Sequence, residues 1–117
     1  MNRRALGARG ESLAGEWYVQ RGYTILDRNW RTRSGELDLV LVLDRVIVFC
    51  EVKTRTSDAF GAGVEAVTRD KQQRIRRLAA QWLEQHEQPH RGLRFDVVSI
   101  LAPRDAPPTI DVYEAAF

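Results

Sequence analysis

Asp38, Glu51 and Lys53 are the residues whose types and spacing best fit chemistry. Asp38 lies early in an apolar run from Leu37 to Leu43, and Glu51-Val52-Lys53 closes a second run that begins at Val46. Asp44-Arg45 separates the two runs and reads as the turn of a β-hairpin. If that turn has two residues, Leu43 faces Val46. Counting back along both strands brings Asp38 opposite Glu51 and Glu36 opposite Lys53. Alternation then puts all four side chains on one sheet face. Facing Cβ atoms in such a pair lie roughly 4.5–5.5 Å apart. Two carboxylates at that spacing repel, and burial beside apolar strands requires a cation or a shared proton to compensate. Mg²⁺ or Mn²⁺ suits the site, because a hard ion takes carboxylate oxygens and keeps several waters. Such an ion can activate water and stabilise charge on a phosphate in transit. Lys53 could orient or deprotonate that water, or neutralise the phosphate. The same spacing also fits a strand-end salt bridge between Glu51 and Lys53, with Asp38 capping a loop.

A second group of residues could hold phosphates. The net charge is only +2, from 18 basic and 16 acidic residues, but the basic residues are unevenly placed. Residues 69–77 carry Arg69, Lys71, Arg74, Arg76 and Arg77 against Asp70 alone. Arg31 and Arg33 follow Trp30 in a polar stretch. Basic patches of this kind can follow a nucleic-acid backbone, though a solvated helix face gives the same pattern. Lys71, Arg74 and Arg77 are the candidate phosphate contacts, and the cations Arg69 and Arg74 in the first turns beside Lys71 oppose the helix macrodipole, which favours a phosphate-facing role. Trp30 could stack on a base or close the sheet edge by packing.

The elements that must position these groups follow from periodicity. Residues 6–21 read as a helix with Leu6, Gly10, Leu13, Ala14 and Trp17 on one face, ended by Gly22. Residues 23–28 read as a strand and 29–35 as a polar loop. Residues 36–43 and 46–53 form the hairpin, and 54–67 a loop. Thr68 is a good N-cap for a helix reaching about Gln88, with Ile75, Leu78, Ala79, Trp82 and Leu83 as its core stripe. Pro89 stops it. Residues 93–101 form another strand and 109–117 a last edge strand. The long helix would cross over to a strand parallel to 46–53. The hairpin strands are apolar at nearly every position, so helices should cover both sheet faces. His86 and His90 match the letters of a zinc-protease motif, but Pro89 breaks the helix that motif needs.

Length and composition bound the rest. A chain of 117 residues, 44% hydrophobic and 29% charged, fits one soluble domain with a real core. It has no apolar stretch long enough for a membrane span and no signal-peptide core near Arg3 and Arg4. One cysteine, Cys50, excludes an internal disulfide. These features favour a cytoplasmic location.

The residues also resemble a known family. Asp38 followed by Glu51-Val52-Lys53 resembles the D…(D/E)-x-K signature of restriction-endonuclease-like nucleases. Gly7-Ala8-Arg9-Gly10-Glu11, Asn29-Trp30-Arg31, Gly35 through Leu39, Phe49 through Arg55, Arg94-Phe95-Asp96-Val97 and Ala116-Phe117 resemble the YraN family of predicted endonucleases. That family is similar in turn to archaeal Holliday junction resolvases. The resemblance implies an α/β, restriction-endonuclease-like αβββαβ core, a mixed sheet with helices on both faces, in a single domain over 1–117. It implies Mg²⁺-dependent cleavage of DNA, of branched or single-stranded form, with Asp38, Glu51 and Lys53 catalytic. Glu11, Asp38 and Glu51 would be the metal ligands, with Glu11 reaching over from the first helix. A homodimer is compatible with this reading, and so is a nucleic-acid-binding module that keeps the fold without cutting.

Overall fold

A computed structural model describes residues 2–57 and 67–117. The elements run α1 (Arg3–Gln20), β1 (Thr24–Thr32), β2 (Gly35–Leu43), β3 (Val46–Arg55), α2 (Arg69–His86), β4 (Gly92–Leu101) and β5 (Thr109–Tyr113). The fold is α/β: five strands form one mixed sheet in the order β1-β2-β3-β4-β5. Only β3 and β4 are parallel, and α2 makes the crossover between them, as the sequence requires. Two cores result. Ala14 and Tyr18 of α1 pack with Leu39, Leu41, Val48 and Cys50 on one face. Ile75, Leu78 and Trp82 of α2 pack with Val40, Ile47 and Phe49 on the other. Both faces are thus covered, and the hairpin strands are apolar throughout for that reason.

The β2–β3 hairpin has the expected register, with Leu43 facing Val46 and Leu39 facing Cys50. Asp44 and Arg45 both take positive φ, 53° and 66°, the backbone of a tight two-residue hairpin turn. Arg91 clamps it by donating its side-chain Nε–H to the Asp44 carbonyl at 2.8 Å. The ladder stops at Leu39 and Cys50, one pair short of Asp38 and Glu51. There the Asp38 side chain takes over and accepts the backbone N–H of Val52 at 2.8 Å.

Three expectations are corrected. Residues 29–35 are not a loop: β1 continues to Thr32, pairs Trp30 with Leu37 and Arg31 with Glu36, and turns at Arg33-Ser34. Pairing with the apolar β2 outweighs the polar composition of the stretch. Trp30 is therefore a strand residue, packed edge-on to His86 in the α2-side core. The last strand is only β5, because Ala115 turns at positive φ and donates its N–H to Asp96. The buried face of α1 is also rotated, to Gly10, Ala14, Gly15 and Tyr18, leaving Leu6, Leu13 and Trp17 half-buried. Tyr18 can be fully buried because its hydroxyl donates to Asp96 at 2.7 Å, and Arg94 holds the same carboxylate through two bonds of 2.9 and 2.8 Å.

Gly10 fixes the depth of α1 on the sheet. A Cβ there would land on the Thr54 hydroxyl and crowd the rest of that side chain. Gly10→Ala should lower stability by roughly 1–3 kcal/mol, several degrees in Tm. Adding Thr54→Ala should recover part of the loss. Thermal unfolding of the single and double variants checks this, and an unchanged Tm for Gly10→Ala would show that α1 does not seat on Thr54.

Candidate functional site

The sheet changes face where the acids gather. Leu39 and Leu41 pack on the α1 side and Val40 and Val42 on the α2 side, as alternation demands. Leu37, two residues before Leu39, packs on the α2 side instead, together with Trp30 of the neighbouring strand. Between the pairs Arg28–Leu39 and Trp30–Leu37 stand Asn29 and Asp38, with Asn29 at φ 49°. Asn takes this left-handed conformation more readily than most residues. The irregularity frees Asp38 from the β2–β3 ladder and brings its carboxylate within reach of both helices.

Around Asp38 the structure assembles Glu11 from α1 and Glu36 from β2. One oxygen from each of the three carboxylates lies within 4.8 Å of the others, and all three residues are half-buried. Glu11, a candidate ligand through the family resemblance, is thus brought beside Asp38. Glu36 was read from the sequence as a partner of Lys53. It is instead part of the acidic group and accepts from Arg31 at 3.1 Å. The strands separate before that facing pair can form, and Lys53 makes no direct ion pair with Glu36 or Glu51.

Glu51 is the most buried acid near this group, with a side chain only 10% exposed. Its Oε1 lies 3.7 Å from the Lys71 Nζ, and its Oε2 is buried with no hydrogen-bond partner among the described residues. Burial and the neighbouring Asp38 push its carboxyl up to about 8, against the pull of Lys71 and Lys53. Burial also raises Asp38, while the Val52 N–H works in the opposite direction. Glu11 is raised by burial and by Asp38, and an Asn29 hydrogen bond offsets part of this. Burial and the adjacent Lys53 lower the ammonium of Lys71. Carboxylates held above their usual range by burial and by one another are residues that could hold a cation, whose charge would compensate theirs. The oxygen-only donor set suits Mg²⁺ or Mn²⁺.

Of the basic residues read from sequence, Lys71 and Arg31 contact these acids. The Arg74 side chain lies against Gly35, so the start of α2 borders the β1–β2 turn that carries exposed Arg33. Arg31 is 68% exposed and Arg77 is fully on the surface side of α2. Arg76 does not join them, because it stacks over Phe95 with its guanidinium 4.7 Å from the ring centre. Cys50 is buried and its thiol is raised, so it is not a nucleophile. His86 contacts Asp27, and exposed His90 lies beyond the helix end, so the two do not form a zinc pair.

The sequence comparisons agree with the resemblance. The model of the uncharacterised protein family UPF0102 matches residues 10–100. The chain belongs to this family, the YraN family. Its relatives include UPF0102 proteins of Frankia alni, 49% identical over 97% of this chain and 94% of the relative, and of Beutenbergia cavernae, 52% identical over 86% and 85%. A UPF0102 protein of Clavibacter michiganensis is 44% identical over 95% and 94%. The matched family region contains Glu11, Glu36, Asp38, Glu51, Lys53 and Lys71. The family description names no activity, so function has to be argued from the site.

Proposed function

We propose that this chain is a Mg²⁺- or Mn²⁺-dependent endonuclease with a restriction-endonuclease-like core in one domain, hydrolysing phosphodiester bonds in DNA of branched or single-stranded form. The observation that carries the reading is the buried Oε2 of Glu51, an acceptor with no donor among the described residues, under the influence of the Asp38 and Glu36 carboxylates. Asp38, Glu51 and Glu11 would hold the cation, with Glu36 beside Asp38 and Glu11. When bound, such an ion lowers the pKa of water and offsets charge on a phosphate. Lys53 and Lys71 flank Glu51 and offer ammonium groups to the non-bridging oxygens. In the reaction a water oxygen forms a bond to phosphorus and the bond to the leaving oxygen breaks. Lys71 is the readier of the two to exchange a proton, because its ammonium is already destabilised. Arg31, Arg33, Arg74 and Arg77 would hold flanking phosphates. No helix among the described residues is long and apolar enough to cross a membrane, which is compatible with the cytoplasmic location we assign.

The test is cleavage of linear, single-stranded and branched DNA with Mg²⁺ or Mn²⁺, with Asp38→Asn as the control. An amide can still accept the Val52 N–H, so the hairpin should stay folded while metal affinity, measured by calorimetry, falls. Equal metal affinity in both proteins would remove the site from consideration. One observation favours a second reading, a module that binds nucleic acid without cutting. Lys71 already sits 3.7 Å from Glu51 and neutralises part of the cluster by itself. Nucleic-acid binding with no metal-dependent cutting would select that reading.

A further inference from the structure

A cavity of about 850 Å³ lies at the start of α1, beside the last residues of β3. Arg3 and Arg9 line it from α1, Arg55 from β3 and Arg104 from the segment after β4. Thr56 and Ser57 add hydroxyl groups, and no acid lines it among the described residues. Arg3, Arg9 and Arg104 form no ion pair with a described acid. The cavity is separate from the carboxylate cluster. Val52 and Thr54 face it, whereas the flanking Glu51 and Lys53 belong to the acidic site.

From this we infer that the cavity is a phosphate-binding site. Guanidinium forks and hydroxyl donors converging on one water-accessible space match phosphate oxygens in geometry and charge. The first turn of α1 carries basic residues and no acid, an arrangement the helix macrodipole disfavours. An anion in the cavity offsets it. Gly7 also lines the cavity, and a Cβ built there meets nothing within 4 Å, so the backbone leaves the space open. Gly7 precedes Glu11 by one helical turn, so the two positions share a face of α1. On the nuclease reading, which this step assumes, a strand with its scissile phosphate at Asp38 and Glu51 places a neighbouring phosphate in the cavity.

The experiment uses the full chain in EDTA, so cutting and metal binding play no part. Inorganic pyrophosphate is titrated by calorimetry and a labelled single-stranded oligonucleotide by anisotropy. Gly7→Glu adds a carboxylate to the cavity, Gly7→Gln adds the same bulk without charge, and Arg104→Ala removes a donor. Pyrophosphate should bind about tenfold more weakly to Gly7→Glu and Arg104→Ala, the effect of one charged contact, and within about twofold of wild type to Gly7→Gln. Parallel loss of oligonucleotide affinity identifies the ligand as a strand phosphate. Loss for pyrophosphate alone identifies a free phosphate compound. Wild-type affinity for both probes in Gly7→Glu and in Arg104→Ala overturns the site. None of these outcomes depends on whether the protein cuts, so the two readings can fail separately.

Discussion

Glu51→Gln should reduce metal-dependent cleavage by roughly 10³-fold, the scale for losing one preorganised electrostatic group, while the metal-free protein melts no lower than wild type. The amide keeps the shape and an acceptor for Lys71, and removes a charge the fold disfavours. The sign follows from the shift. Glu51 titrates near its ordinary 4.5 when unfolded and at about 8 when folded. Below 4.5 both states hold the proton and the group has no effect. Between 4.5 and about 8 the unfolded chain releases its proton first, so the metal-free protein loses stability as pH rises. Above about 8 the loss is complete. Glu51→Gln lacks this slope and should out-melt wild type at pH 8.5, with little difference at pH 4. A bound cation reverses the balance, because it competes with the proton. Wild type should gain more Tm from Mg²⁺ or Mn²⁺ at pH 8 than at pH 6, and release a proton on binding near pH 7. Glu51→Gln should show neither effect. A variant that melts lower throughout and still responds to the metal would make Glu51 a structural acid.

The parts of the site legible in the sequence were those governed by strand alternation. A two-residue turn at Asp44-Arg45 determines which residues of β2 and β3 face each other, and the observed register follows it as far as Leu39 and Cys50. The second helix was equally legible, since its core stripe and its Thr68 cap are local signals. The site itself begins where local rules stop. Asn29 at positive φ and Asp38 opposite it swap the faces of two strands at once, and only the packing of Leu37 and Trp30 under α2 reveals this. Asn29 alone carries a hint, as a residue type that tolerates that backbone. Glu36 looked like a cross-strand partner for Lys53 and became a member of the acidic group because the strands part before it. The burial of Tyr18 was hidden for a different reason. It depends on Asp96 and Arg94, 78 residues and 76 residues further along the chain, and no periodicity reports such a network.

Lys53→Ala should separate catalysis from folding. Lys53 makes no direct ion pair with Glu36 or Glu51, so its removal should change stability by no more than about 1 kcal/mol, the range for ion pairs near the surface. The sign can even be favourable, because Lys53 is what destabilises the neighbouring ammonium of Lys71 after burial. Without it, Lys71 holds its proton more firmly and stays with Glu51. On the nuclease reading this is harmful twice over. The phosphate loses one ammonium as negative charge builds in the transition state, and Lys71 becomes slower to exchange a proton. Cleavage should therefore fall roughly 10²-fold or more, while most nucleic-acid affinity remains. Lys71→Ala should behave differently. It leaves Glu51 with no close cation at Oε1, so the carboxyl rises further and metal binding requires a higher pH. The measurement is single-turnover cleavage beside thermal unfolding for both variants, with the pH dependence of metal affinity as the second readout. Lys53→Ala that cuts at the wild-type rate but melts several degrees lower would assign Lys53 to structure.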